Sequence, residues 1–254
     1  MLIADSNEKL QLIFDKVKEE SEIKGLKINI RKTKCMVITK QNPEPTIELL
    51  SGDQTVEKVT SFNYLGSMIT ADARCETEIK RRVGIAKTAF RQMYKILTNR
   101  KLSIKTRKGL IKTHIWSTLL YGAESWTLSS AMKRKLDAME LWLWRRMMKI
   151  PWTARRTNEE VLEMVGEKRH LLLEVRKRQL NFFGHVMRRE GLENIIITGM
   201  VEGKRGRGRP RTKYIDGLVQ LTRGKTTAQF LRTTRNREEW KSMVADVLED
   251  MAQR

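Results

Sequence analysis

Apolar positions along the chain follow two rhythms. From about residue 73 onward they recur at three-and-four spacing, the period of a helix face. Ile79, Val83, Ala86, Phe90, Met93, Tyr94 and Leu97 mark one face of a helix expected over 73–98. Ser103 is placed to cap a second helix, with Ile104, Ile111, Ile115 and Leu119 inward. Ser129 or Ser130 starts a third, whose inward face is Met132, Leu136, Met139, Leu143, Met147 and Ile150. Pro151 stops it, and Trp142 and Trp144 flank its apolar face. Thr157 with Glu160 three residues on has the form of a capping box before a short helix. Residues 169–189 carry Leu172, Val175, Leu180 and Phe183 on one side and Arg176, Lys177 and Arg178 on the other. Helices are expected again at 212–222 and 235–252, the last with Trp240, Val244 and Leu248 inward.

The first seventy residues read differently. Met1 to Ile3 has the form of a strand end, and Asp5 to Glu8 that of a helix start with Asp5 as cap. Asp5 standing alone also admits a reading as a catalytic carboxylate. Leu10, Ile13, Val17 and Ile23 would face the core of that helix, which Gly25 ends. Then come short β-branched runs: Ile28 and Ile30, Met36 to Thr39, and Thr46 to Leu50 paired with Val56 to Val59 around Ser51-Gly52-Asp53. Gln41 to Thr46, with Pro43 and Pro45, reads as a turn. Phe62 to Ile69 reads as one strand with Gly66 inside it. The expected fold class is therefore α+β, predominantly α-helical, with a small antiparallel sheet near the N-terminus. Three segments follow: 1–70, 71–128 and 129–254, the last carrying a basic arm at 203–213.

Charge sharpens this picture. The 254 residues carry a formal net charge of +21. Ile79 to Gly122 holds 12 Lys or Arg and no Asp or Glu. Lys80, Lys87, Arg91 and Lys95 fall close together on a face away from the apolar one, and Lys105 and Lys108 extend the supply. Removing every acid from a folded segment costs self-repulsion, which a polyanion relieves. Nucleic acid is the expected partner, held through its phosphates and so without strong sequence readout. The competing reading is a pair of solvated helices. No apolar run approaches the length of a membrane span. Cys35 and Cys75 form no C-x-x-C pair, which suggests a reducing compartment, nuclear or cytoplasmic. His114, His170 and His185 share no metal-ligand spacing with them, so no metal site is expected. Trp142, Trp144 and Trp152 lie among Arg145, Arg146, Arg155 and Arg156, where an aromatic ring can stack on an unpaired base or pack in the core. In the arm, Arg207, Arg209 and Arg211 alternate with Gly206, Gly208 and Pro210. Such a ribbon suits a narrow A·T minor groove, a nuclear-localisation patch or a plain linker.

Several motifs, in this order, resemble one family. Gly25-Leu26-Lys27-Ile28-Asn29-Ile30-Arg31-Lys32-Thr33-Lys34 is similar to the helix-turn-strand element late in the palm of reverse transcriptases. Phe62-Asn63-Tyr64-Leu65-Gly66 is similar to the primer grip that follows it. Tyr121 to Trp126, Pro151 to Arg156, Phe183 to Arg189, Gly208 to Arg211 and Arg237 to Trp240 extend the likeness across nearly the whole chain. Together they resemble the C-terminal half of the reverse transcriptase of non-LTR, LINE-like retrotransposons, closest to the RTE type. The resemblance implies a palm remnant over 1–70, thumb-like helices over 71–128 and a helical C-terminal region. It implies template-primer or target DNA as ligand, namely an RNA–DNA hybrid or duplex DNA, with Tyr64 and Gly66 at the primer. Lys32 would be an auxiliary proton donor; a solvated lysine is the plainer reading. The family's aromatic-Ala-Asp-Asp box would fall just before Met1. No Asp-Asp pair occurs in this chain, and Glu19-Glu20, Glu159-Glu160 and Glu249-Asp250 sit in helix-like runs. Two-metal phosphoryl transfer needs clustered carboxylates. The expectation is therefore no catalysis and no bound cofactor, with Mg²⁺ belonging to an intact polymerase and the N-terminal half a possible partner. A stand-alone nucleic-acid-binding module and a transposon relic without function are the alternatives.

Overall fold

The computed structural model describes residues 1–39, 45–189, 191–199 and 213–253. They form a predominantly helical α+β chain in two compact units, Met1–Glu78 and Ile79–Arg254.

The first unit opens with helix α1, Asn7–Ile23. Its cap is Ser6, one residue later than the pattern suggested. The Ser6 hydroxyl accepts the Lys9 N–H at 3.3 Å, while the Asp5 carboxylate is taken by the Lys9 ammonium at 2.9 Å. Asp5 is thus an exposed helix-end charge. Gly25, at φ +74°, ends the helix, its N–H donating to the Glu22 carbonyl at 2.9 Å. Phe14 is the buried residue of α1. It joins Cys35, Leu49 and Val56, ringed by Leu10, Ile28, Ile30 and Ile47. This cluster meets only the N-terminal half of α1, so Val17 and Ile23 stay exposed. Gln11 ties the helix to the next layer by a two-point amide contact, donating to the Leu50 carbonyl (2.8 Å) and accepting the Leu50 N–H (2.9 Å).

The strands are short: β1 Lys34–Cys35, β2 Leu50–Ser51, β3 Gln54–Thr55, β4 Glu57–Lys58, β5 Ser61–Tyr64 and β6 Ser67–Thr70. They pair as three two-stranded ladders. β2–β3 and β5–β6 are antiparallel, and β1–β4 is parallel, with Lys34 opposite and ion-paired to Glu57. The expected hairpin at Ser51-Gly52-Asp53 is present, with Gly52 at φ +61°. Residues 62–69, expected as one strand, fold back on themselves. Leu65 (φ +48°) and Gly66 (φ +82°) are both left-handed, which is the two-residue turn that right-twisted hairpins favour. Ile28 and Ile30 are not a strand either. They flank a turn in which both the carbonyl and the side-chain oxygen of Asn29 accept the Lys32 N–H at 3.1 Å, and their side chains still enter the core.

In the second unit the helical periodicity carries through. The unit boundary falls in the first turn of α2, Glu76–Gln92. A break at Met93 precedes α3, Tyr94–Leu97. Ser103 caps α4, Ile104–Leu110, which continues as a π-helical turn Ile111–Ile115 and α5, Trp116–Leu119. A 3₁₀ turn Ala123–Ser125 leads to α6, Ser130–Met148, capped by Ser129. A second 3₁₀ turn, Trp152–Ala154, precedes α7, Asn158–Val165, whose Thr157/Glu160 capping box is formed. Then come α8 Leu171–Met187, α9 Leu192–Thr198, α10 Tyr214–Val219, α11 Thr227–Thr233 and α12 Arg237–Gln253. The short helices α9 and α11 lie outside the sequence-based expectation. Leu180 and Phe183 of α8 pack with Ile215, Leu218, Phe230, Trp240, Met243, Val244 and Val247 in one core. Gly184 lets α12 approach: a Cβ there would lie 2.1 Å from Trp240 Nε1.

Candidate nucleic-acid interface

The apolar face of α2 is sealed. Ile79, Val83, Ala86, Phe90 and, in α3, Leu97 are buried. At about 100° per residue, Lys80, Lys87 and Arg91 share a separate stripe within roughly 40° of arc. Lys80, Arg91, Lys95 and Lys105 are exposed, and Lys87 is half-buried. Among the described residues none of these five has a carboxylate partner. The Lys87 ammonium instead lies 5.4 Å from the centre of the Trp142 ring, with Arg146 5.6 Å from the same ring. Trp142 in turn packs edge-on against Phe90 at 5.4 Å, so this indole is a half-buried plate that holds two cations. Trp144 is fully buried, and Trp152 is 91% exposed.

Other cations of the acid-free segment are committed to the fold. Arg107 is buried and donates to the Met147 carbonyl at 3.1 Å. Arg82 is buried, donates to the Thr118 carbonyl and stacks 4.4 Å from the Tyr121 ring centre. Lys108 closes the C-terminus of α7, donating to the Val165 and Gly166 carbonyls at 3.1 Å each. Lys108 and Lys112 also converge on Glu167 at 3.1 and 2.9 Å. Burial alone would push the Glu167 carboxyl up, but hydrogen bonds and charge from Lys112 and Lys108 outweigh it and hold the group below the usual carboxylate range. The acid that neutralises this end of the segment comes from 55 positions later in the chain. A count of local acids does not reveal it.

The remaining sequence-predicted residues are spread. Lys32 is exposed in the Asn29 turn. Tyr64 closes β5, half-buried, opposite Ser67, and Gly66 is exposed in the hairpin turn. Arg207, Arg209 and Arg211 lie outside the described residues. Among the described residues no group of three or more His, Cys, Asp or Glu is gathered as a metal site. Cys35, a free thiol, is buried, and burial pushes its pKa up. No helix of the described residues is long and apolar enough to cross a membrane.

The sequence reading missed the buried polar layer behind this surface. Glu140, on the core side of α6, accepts the His170 and Leu171 N–H groups at 3.0 and 3.1 Å and so caps α8 from another helix. Burial raises its pKa, against the pull of those two N–H groups. Arg176, expected outside, is buried and donates to Gln179 at 2.7 Å. Gln179 donates on to the Ala123 and Trp126 carbonyls at 3.1 and 2.8 Å. The Tyr214 hydroxyl donates to the Glu124 carbonyl at 2.6 Å. At about 100° per residue Arg176 and Gln179 fall inside the apolar arc of α8, between Val175 and Leu180, and the long-range carbonyls explain why polar residues belong there.

No protein-family model matches the chain, and no solved structure matches it. A Caenorhabditis elegans protein, named as uncharacterized and transposon-derived, is 29% identical over 257 residues, covering 96% of this chain and 91% of that protein. This likeness supports a transposon-related origin.

Proposed function

We propose that this chain is the palm-remnant, thumb and C-terminal part of a retrotransposon RNA-directed DNA polymerase, and that its own activity is binding of template-primer or target DNA. The observation that carries the reading is the row of cations on α2 to α4. Lys80, Arg91, Lys95 and Lys105 are exposed and have no carboxylate partner among the described residues. They sit on or beside helices whose apolar residues are fixed in the core, about a quarter-turn away on α2, so the charges are presented on a rigid surface. A phosphate backbone is the ligand that suits repeated, partnerless cations without demanding a particular sequence. The transposon-derived relative supports a transposon-related origin, and the ordered motifs, by resemblance alone, narrow it to a retrotransposon reverse transcriptase. In this reading the palm remnant is 1–70, the thumb 71–128 and the C-terminal region 129–254, and the Gly/Arg/Pro arm contacts target DNA.

Two measurements test the proposal. Purified protein is titrated with an RNA–DNA hybrid and with duplex DNA of mixed sequence over a range of salt. Affinity should fall with a log–log slope of about −0.9 per phosphate contacted on B-DNA. Binding that ignores salt would overturn it. Primer extension on an RNA template with Mg²⁺ and dNTPs should give no product from this chain alone. Template-dependent extension, abolished by changing one of its own acids, would overturn the division between binding and chemistry.

A further inference from the structure

Just after α2 in the chain, α3 helps to line a shallow cleft of about 420 Å³ formed by Tyr94, Lys95, Thr98, Asn99, Arg100 and Lys149. Three of the six are cations and none is an acid. The Thr98 hydroxyl gives its one proton to the Tyr94 carbonyl at 2.8 Å and is buried, so it offers an anion no donor. The side-chain oxygen of Asn99 is occupied by the Lys101 N–H at 2.9 Å, which leaves its amide N–H groups as the donating end. Such a cleft recognises an anion.

It also presents a ring. Tyr94 is 42% exposed. One edge is held against Phe90, with centroids 6.4 Å apart and planes at 68°, and Phe90 is fixed in the core. The ring is a braced platform. The opposite wall is braced as well. Lys149 ends α6 in the left-handed region at φ +55°, with the Ile150 N–H closing back on the Arg145 carbonyl at 2.9 Å. A lysine in that conformation costs about 1 kcal/mol more than the glycine that usually fills it.

We infer that this cleft holds an unpaired nucleotide at the end of a bound strand, with its phosphate among Lys95, Arg100 and Lys149 and its base on the Tyr94 ring. The inference rests on the nucleic-acid reading above. It adds that the ligand is a duplex with a single-stranded overhang. Inside a duplex each base face is covered by its neighbours, whereas an unpaired base at a strand end can turn away from the duplex and bring a free face and its phosphate into one small cleft. Lys95 is both one of the exposed cations and part of the cleft lining, which ties the cleft to the cations that the nucleic-acid reading invokes.

The test compares three probes at one salt concentration: a blunt duplex, the same duplex with a short thymidine overhang, and the same with an abasic overhang. The readout is the ratio of overhang to blunt affinity. Wild-type protein should prefer the thymidine overhang about tenfold, within the range of base–aromatic stacking, and the abasic overhang should lose most of that preference. Tyr94→Ala should bring the ratio close to one, and Tyr94→Phe should keep it. Lys149→Gly should lower the ratio several-fold while thermal stability holds or rises, because glycine relieves the left-handed backbone; an unfolding artefact is thereby separated from lost binding. A wild-type ratio of one, equal preference for abasic and thymidine overhangs, or a Tyr94→Ala loss that is the same on blunt and overhang probes would overturn the inference. Failure of every probe to bind in a salt-dependent way would instead remove the nucleic-acid reading on which it rests.

Discussion

Gly184→Ala sets two opposed effects against each other inside α8. Local propensity favours alanine by about 1 kcal/mol in a helix interior. Packing opposes it. The added Cβ would lie 2.1 Å from Trp240 Nε1, 2.6 Å from Cδ1 and 2.7 Å from Cε2. Ordinary contact is about 3.5–4.0 Å, so the indole and the helix must part by more than an ångström. Trp240 has little room to move: it is 3% exposed and boxed by Phe183 and Phe230 at ring separations of 5.9 and 5.2 Å. Overpacking of this severity costs at least the upper end of the usual 1–3 kcal/mol, giving a net loss of about 2–3 kcal/mol after the propensity gain. For a unit of this size that is a fall of roughly 5–10 °C in melting midpoint. Tryptophan fluorescence is a suitable probe, because all six tryptophans lie in the second unit. Trp240→Leu in the same chain should erase most of the Gly184→Ala penalty, a coupling of about 2 kcal/mol. If Gly184→Ala melts at or above wild type, propensity wins and the close approach of α8 and α12 is wrong.

Other expectations follow from the buried polar layer and the arm. Glu140→Ala removes the cap from the first turn of α8 and strands two N–H groups, so it should cost about 2–3 kcal/mol in urea unfolding. A loss under half that would mean water replaces the carboxylate. Glu167 binds its proton more weakly folded than unfolded, so its contribution is present above the unfolded value near 4.5 and is lost as pH falls through the lower folded value. Acid unfolding should accordingly be less steep in Glu167→Gln than in wild type; equal steepness would remove Glu167 from the account. Changing Arg207, Arg209 and Arg211 to Ala should weaken binding to A·T-rich duplex DNA more than to an RNA–DNA hybrid, because arginines alternating with Gly and Pro in sequence suit a narrow minor groove. Equal losses would reduce the arm to a generic basic linker or import signal.

The helical unit was largely legible from the three-and-four pattern. The residues expected inward on α2, α5 and α6, from Ile79 through Met147, are nearly all buried, since one wide apolar stripe admits one orientation. The first unit was less so. Phe62 and Tyr64 alternate in β5 and Ser67 and Ile69 in β6, with a step of three between Tyr64 and Ser67; Leu65-Gly66 alone marks the reversal, and one Gly inside a β-branched run also suits a single strand. Ser6 and Asp5 are both good caps, and only the Lys9 ammonium decides between them. For the candidate site, the sequence placed the cations but not their partners. Lys108 and Lys105 look alike in composition. Lys108 is taken by the end of α7 and by Glu167, whereas Lys105 is exposed, and that difference depends on contacts more than fifty residues apart. Tyr94 and Lys149 meet in one cleft only through the tertiary fold.

Exposed cations on α2 to α4 without a carboxylate partner among the described residues are proposed to hold a phosphate backbone. The salt dependence of duplex DNA binding checks this for wild type, for the combined Lys80→Gln, Arg91→Gln, Lys105→Gln variant, and for Lys108→Gln. If all three exposed residues touch phosphate, the combined variant should flatten the log–log slope by about 2.7 units, at about 0.9 per contact. Lys108→Gln should leave the slope as in wild type, because that ammonium is spent on the Val165 and Gly166 carbonyls and Glu167. An unchanged slope in the combined variant, or a slope that falls as much with Lys108→Gln as with any single exposed residue, would contradict the account and move the binding surface elsewhere.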